Sequence, residues 1–323
     1  LMRNPRIAGV IGLFAILAAA VVAPAASAQG SDQPSSPGTA LNDLVSAVVR
    51  IKTFINPDGR SVSSLGRERE GSGILLDESG LILTIGYLMV EAHSAEVITN
   101  AGRTLPATVV GYDHETGFGL LRTMEPLKTK PLPIGRSADV KEGDRALVVS
   151  FGGAGMVAPV NVVSKRVFAG SWEYLVPDAL FTSPPHPAWS GAALVSREGK
   201  LVGVGSLIVG DASGKKENMP GNMFVPIDLL MPIMGDLLAD GRVSGPGKPW
   251  LGVAAEEMGG ELRVSRVTPQ SPAEKAGIKR GDVILSYQGR SVVDTNSFRN
   301  EIAATKPGST ITLNVLRDGK ARE

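Results

Sequence analysis

From Leu41 to about Gly241 the chain is a succession of short apolar runs broken by turn residues. "GSGILLDESGLILT" (71–84) reads as two strands around a turn at Asp77 to Gly80. "RALVVSFGG" (145–153) reads as a strand ending in glycines, and "AALVSREGKLVGVGSLIV" (192–209) as two strands around Arg197 to Gly199. Many short strands at regular spacing have to close into a barrel or pack as a sandwich, because each buries only one or two faces against its neighbours. One helix ends the region: "PIDLLMPIMGDLLADG" (226–241) has apolar residues at helical spacing and Gly241 as its stop.

"RVSGPGKPW" (242–250) has the composition of a linker. A smaller unit follows. Strands are expected at "WLGVAA", "LRVSRV", "DVILSYQ" and "TITLNVLR", with helices at "SPAEKAG" and "NSFRNEIAAT". In the first helix Ser271 is the expected N-cap, Pro272 takes the first turn and Glu274 completes a capping box. Asp318-Gly319 is a hairpin signal that calls for a further strand. Only Lys320 to Glu323 follow, so the last strand is very short or the sequence is cut there.

The N-terminus has Arg3 and Arg6, an apolar stretch from Ile7 to Ala23, then Pro24 and "ASA" at 26–28. This pattern predicts a secretory signal peptide cleaved near Ala28 and hence a periplasmic or otherwise exported protein. The organisation read from the sequence is therefore a signal peptide at 1–28, a flexible lead-in at 29–40 rich in Pro, Gly and Ser, a first domain at 41–241, a linker at 242–249 and a second domain at 250–323. The net charge is +1 and the charges are interspersed, which gives no footprint for nucleic acid. There is no cysteine, so disulfides and thiolate chemistry are excluded. No histidine pair at ligand spacing and no phosphate loop occurs, so no metal or cofactor is expected; "GGAG" (152–155) reads as a loop at a strand end.

"AWSGAALV" (188–195) places Ser190 in a tight small-residue turn before an apolar run. A serine hydroxyl is a nucleophile only if a base takes its proton, and acyl transfer also needs backbone N–H donors for the oxyanion. Four segments in order resemble the trypsin-like HtrA family of periplasmic proteases: "GSGILLDESGLILT", "VVGYDHETGFGLLR", "PAWSGAALV" and "GNMFVPIDLL". Residues 248–323 resemble that family's PDZ domain. The resemblance implies a mainly β chain, a trypsin-like double β-barrel of six-stranded halves followed by a small α+β PDZ domain. It also implies polypeptide substrates or clients and a homo-oligomer, a trimer or larger.

Carried over residue by residue, the resemblance puts the family's catalytic histidine on Tyr87 and its aspartate on Gly117; of the triad only Ser190 is kept. A phenol loses its proton near pH 10, so it is a poor base near neutrality. The three histidines offer alternatives: His93 is expected on the surface, His114 in the loop before Gly117, and His186 beside Ser190. The oxyanion donors are carried over to Ala188 and Ser190. Ala188 stands where the family has glycine, a change expected to bring backbone strain, and Trp189 is expected to cover or fill the cleft. In the second domain "WLGV", Trp250, Leu251, Gly252 and Val253, looks like the family's carboxylate loop, with Phe298 and Ile302 on the groove wall. The expected function is that of a catalytically impaired family member, a pseudoprotease, that binds exposed or C-terminal peptide segments of envelope proteins. The alternative is an active serine endopeptidase in envelope protein quality control that uses Ser190 with a displaced base such as His114 or His186.

Overall fold

The computed structural model describes residues 37–169, 175–243 and 249–323. The expected signal peptide, most of the lead-in and most of the linker lie outside them. Helix α1 (Pro37–Ser46) begins four residues inside the stretch read as lead-in. Strands β1 (Val48–Ile55), β2 (Glu68–Leu75), β3 (Leu81–Ile85), β4 (Ala92–Ile98), β5 (Thr104–Tyr112) and β6 (Phe118–Thr123) close a barrel in the order β1-β2-β3-β6-β5-β4, and a short helix α2 (Val62–Leu65) joins β1 to β2. A second closed barrel, β10-β11-β12-β9-β8-β7, uses β7 (Arg145–Val149), β8 (Val157–Ala169), β9 (Leu175–Ser183), β10 (Ala193–Val195), β11 (Leu201–Val209) and β12 (Gly221–Pro226).

The apolar pattern explains why the two barrels meet. A strand buried on one face alternates; a strand buried on both reads as an unbroken apolar run. In β3, "LILTI", all five residues are buried. Ile82 points into the first barrel with Val49, Ile51, Leu75 and Leu121. Leu81, Leu83 and Ile85 point outward into a third core, shared with Ala193, Val195, Met223 and Val225 of the second barrel. The second barrel repeats the arrangement: Leu194 and Phe224 fill its interior while their neighbours face the seam. The turn between β2 and β3 follows from Asp77, whose carboxylate accepts from the Leu81 N–H at 3.0 Å and the Ser79 hydroxyl at 2.7 Å.

After a 3₁₀ turn, helix α3 (Met231–Asp240) ends at Gly241, which is left-handed (φ 70°) and donates to the Leu237 carbonyl. The C-terminal unit is a sheet in the order β13-β14-β15-β17-β18, from β13 (Val253–Met258), β14 (Glu261–Val267), β15 (Val283–Tyr287), β17 (Leu313–Arg317) and β18 (Lys320–Arg322), with β16 (Arg290–Ser291) paired to β15. Helices α4 (Pro272–Lys275) and α5 (Thr295–Ala303) complete it. Ser271 caps α4 through the Glu274 N–H as expected, but the Glu274 carboxylate accepts from the Gln270 N–H at 2.6 Å, one residue before the cap. The Ser271 N–H is already held by the Thr268 carbonyl. Asp294 and Ser297 form a reciprocal box at the start of α5. The hairpin at Asp318-Gly319 forms with both φ values positive, and the strand after it has three residues. Among the described residues no helix is long and apolar enough to cross a membrane.

Candidate active site and peptide groove

Ser190 lies in the turn before β10, on the seam between the barrels. The loop is fastened by backbone, once across that seam and once within its own barrel. The Ser72 N–H on β2 donates to the Ser190 carbonyl at 2.8 Å, and the Gly191 N–H donates to the Gly205 carbonyl at 2.9 Å. Gly191 has φ 71°, and a Cβ there would sit 2.0 Å from the Ser72 carbonyl oxygen, so glycine is required.

Tyr87 comes to the same point from a 3₁₀ turn, Gly86–Leu88, after β3. The turn is held from behind. Arg69, 5% exposed, donates to the Tyr87 carbonyl at 2.7 Å, the Val90 carbonyl at 3.1 Å and the Ser61 hydroxyl at 2.7 Å. Burial lowers the pKa of Arg69, and the nearby Glu91 carboxylate opposes this. Burial pushes the Glu91 carboxyl upward, but hydrogen bonds from Ser61 and Arg60 and the charge of Arg69 outweigh it and leave the pKa lowered. On the other side the Gly86 N–H donates to the Gly117 carbonyl at 2.6 Å. Positions 87 and 117, onto which the resemblance carries the family's histidine and aspartate, are thus neighbours, joined through backbone.

The Tyr87 phenol oxygen lies 2.7 Å from Ser190 Oγ and 3.1 Å from the Ser206 carbonyl oxygen. That carbonyl is in reach because the β11–β12 pairing shifts register between Gly205 and Leu207, at Ser206. A phenol has one proton, and a carbonyl can only accept. With the proton on the Ser206 carbonyl, the phenol oxygen accepts from Ser190; with the proton on Ser190 Oγ, the phenol is a donor there. In both arrangements the hydrogen-bond partner that Ser190 Oγ meets here is a phenol and not an imidazole.

The histidines do not fill the gap. His93 is exposed on β4, as expected. His114 is exposed and packs edge-on against Tyr112, with centroids 4.7 Å apart. His186 is 5% exposed, and its Nδ1 accepts from the Ala188 N–H at 3.1 Å instead of addressing Ser190. Burial lowers the His186 pKa, against a backbone hydrogen bond with Met156 that raises it. The strain expected at Ala188 is absent, since its φ is not positive; its N–H is turned toward the imidazole. Trp189 and Ala188 line a cleft of about 360 Å³ with Arg50, Glu70, Phe151 and Ser190. Sequence reasoning missed this use of His186, although a side chain bonding the backbone two residues on is a local pattern that the segment itself could have suggested.

In the C-terminal unit, Gly252 has φ 77°, and a Cβ there would lie 2.2 Å from Ser271 Cβ. The carbonyls of Leu251 and Gly252 accept from Ala273 and Thr268 at 2.9 and 2.8 Å, which ties the irregular segment Trp250–Gly252 ahead of β13 to the start of α4 and the loop before it. Trp250 and Leu251 border a hollow of about 720 Å³ together with Ile302, Ile278 and Leu313. Val253 begins the edge strand β13, with Val267 as its partner. Phe298 is 2% exposed in the core, edge-on to Tyr287 at 6.3 Å, which leaves Ile302 as the α5 side chain that reaches the hollow.

Residues 71–204 match the family model of a trypsin-like peptidase domain, and residues 249–323 match that of a PDZ domain. The chain belongs to the HtrA-type family. A DegP-like probable periplasmic serine endoprotease of Chlamydia pneumoniae is 30% identical over 275 residues, covering 78% of this chain and 53% of the relative. A protein of the same description from Marinomonas sp. (strain MWYL1) is 30% identical over 270 residues, covering 79% of this chain and 55% of the relative. The chain thus spans about half the length of these curated relatives. Among solved structures, that of the HtrA-type protease AlgW with a tripeptide has a TM-score of 0.52 at 23% identity, covering 89% of this chain and 95% of the other, which supports the fold. Among the described residues no cluster of side chains could hold a metal ion.

Proposed function

We propose that this HtrA-type chain is a pseudoprotease: an exported protein that binds exposed or C-terminal segments of envelope proteins without cleaving them by the family's mechanism. The observation that carries the reading is the Tyr87 phenol, 2.7 Å from Ser190 Oγ, in the place of the base. A serine without its triad partners retains about 10³–10⁴ over water, and that residue of activity depends on an intact oxyanion hole. Here the Ala188 N–H, carried over as one of the two oxyanion donors, is engaged by His186. The names of the relatives, periplasmic serine endoproteases, support a periplasmic location, and they favour the competing reading of an active endopeptidase. The geometry weighs against that reading, because neither His114 nor His186 addresses Ser190.

The domain reading, 41–241 and 250–323, goes with this proposal, as does a homo-oligomeric assembly. Peptide C-termini would add as a strand to the β13 edge, with the carboxylate at the Trp250–Gly252 segment. Treatment with a fluorophosphonate probe and incubation with casein, against a Ser190→Ala control, test the catalytic part. Labelling and turnover that vanish in the control would overturn the pseudoprotease reading. For the groove, peptides with free and amidated C-termini are titrated; equal affinity removes the carboxylate assignment.

A further inference from the structure

Asn222 on β12 clips the backbone of His186 on both sides. The His186 N–H donates to Asn222 Oδ1 at 2.6 Å, and the His186 carbonyl accepts from Asn222 Nδ2 at 3.3 Å. The backbone of His186 is therefore fixed, and its ring meets the Ala188 N–H. A backbone amide can only donate, so the Nδ1 that receives the Ala188 N–H is the unprotonated nitrogen of a neutral imidazole. The Ala188 carbonyl is held as well, accepting from the Ser150 hydroxyl at 2.5 Å, and that hydroxyl lies 3.5 Å from Nδ1. Both backbone polar groups of Ala188 are thus secured by this buried cluster.

We propose that His186 is a protonation-sensitive latch on the Ser190 loop: the neutral ring holds the Ala188 amide away from the cleft, and the imidazolium, with a proton on Nδ1, releases it. The groups that face the ring are the Ser150 hydroxyl after β7, the Met156 backbone before β8 and the Ala188 amide of its own loop, none of them charged, while Asn222 of β12 holds the His186 backbone. Arg50 and Glu70 line the cleft beside Ala188 but exert no charge interaction on the ring. Burial holds the pKa of His186 below the ordinary value. In the released loop the ring returns toward about 6.5. The sign follows: the latch is intact above that pH, weakens as pH falls from there to the depressed value, and changes no further below it. Each half unit of separation shifts the ratio of latched to released loop about threefold.

The consequence for clients rests on the cleft reading above; the latch itself does not. The test labels histidine and alanine with ¹⁵N in the full chain and follows both by NMR between about pH 7.5 and 4.5, where histidine titrates. The expected result is an acceptor-type Nδ1 at His186 near neutrality and an Ala188 amide resonance that moves with the His186 titration. His186→Asn, whose Oδ1 can accept the same amide and gains no proton in this range, makes the Ala188 response flat. Ser150→Ala keeps the imidazole, loosens the loop and moves the midpoint up toward the ordinary value. An Nδ1-protonated ring near neutrality, an Ala188 amide that ignores the titration, or an unmoved midpoint in Ser150→Ala overturns the latch. Binding of a fluorescent unfolded polypeptide is expected to rise as the pH falls through the titration and to stay flat in His186→Asn. If the amide responds and binding does not, the latch stands and the cleft is not the client site.

Discussion

If Tyr87 is what silences Ser190, replacing the phenol with an imidazole should return a base to the seam. A positioned general base contributes about 10²–10⁴-fold, and the lower figure applies to Tyr87→His, because no carboxylate fixes the ring's tautomer. Fluorophosphonate labelling of Ser190 should therefore accelerate about 10²-fold. Adding Gly117→Asp should supply the orienting group and up to about 10²-fold more. The second change has a structural cost. Gly117 has φ 77°, its N–H bonds the Asp113 carbonyl at 3.0 Å, and its carbonyl holds Gly86. A side chain in that conformation costs about 1–2 kcal/mol, or a few °C in Tm for a domain of this size. Even the double variant should fall short of a proficient site, because losing one oxyanion donor costs about 10²–10³-fold and the Ala188 amide faces His186. The assay is the labelling rate by gel fluorescence or intact mass, with Ser190→Ala as blank and calorimetry for Tm. Wild type labelling as fast as Tyr87→His would refute the reasoning, since Ser190 would then already have a base.

A double-mutant cycle of Tyr87→Phe and Ser190→Ala in urea should give a coupling of about 1 kcal/mol, the worth of one partly buried hydrogen bond; zero coupling would mean the 2.7 Å contact has no energetic content. Gly191→Ala should destabilise by roughly 3 kcal/mol or more, because its Cβ would meet the Ser72 carbonyl at 2.0 Å; a melting temperature within a degree or so of wild type would contradict that packing. In the C-terminal unit, Asp282 is 1% exposed and takes both 2.6 Å bonds from Arg317. Burial pushes the Asp282 carboxyl up, and Arg317 and the Lys279 N–H outweigh this, so its pKa is lowered. Its contribution to stability is present above about pH 4, the unfolded value, and is lost as pH falls through the depressed folded value. Asp282→Asn should destabilise near neutrality and flatten the acid limb of the stability curve; an unchanged acid limb would exclude Asp282 as its source.

The barrels were legible because each strand carries its own pattern. "LILTI" reads as a strand buried on both faces, and its two sets of neighbours occupy two different cores. That Tyr87 and Ser190 would meet was legible through an ordered resemblance that set both at one site. What the sequence did not disclose is where polar groups point. That the Tyr87 hydroxyl finds the Ser206 carbonyl depends on a register shift more than a hundred residues away. The buried place of Phe298 was hidden for a related reason: successive helix residues face different directions, and which one meets the core depends on how α5 packs.

The fastening of Ser190 to Ser72 has a consequence for how such a chain can change over time. The contacts that close the two halves on each other, the Ser190 carbonyl on Ser72 and the cramped Gly191, belong to the backbone and need no hydroxyl. Losing the chemistry therefore leaves the rivet untouched. A chain can thus keep this loop's shape whether or not a base and a carboxylate stand beside the serine, so the serine's presence alone does not report catalysis.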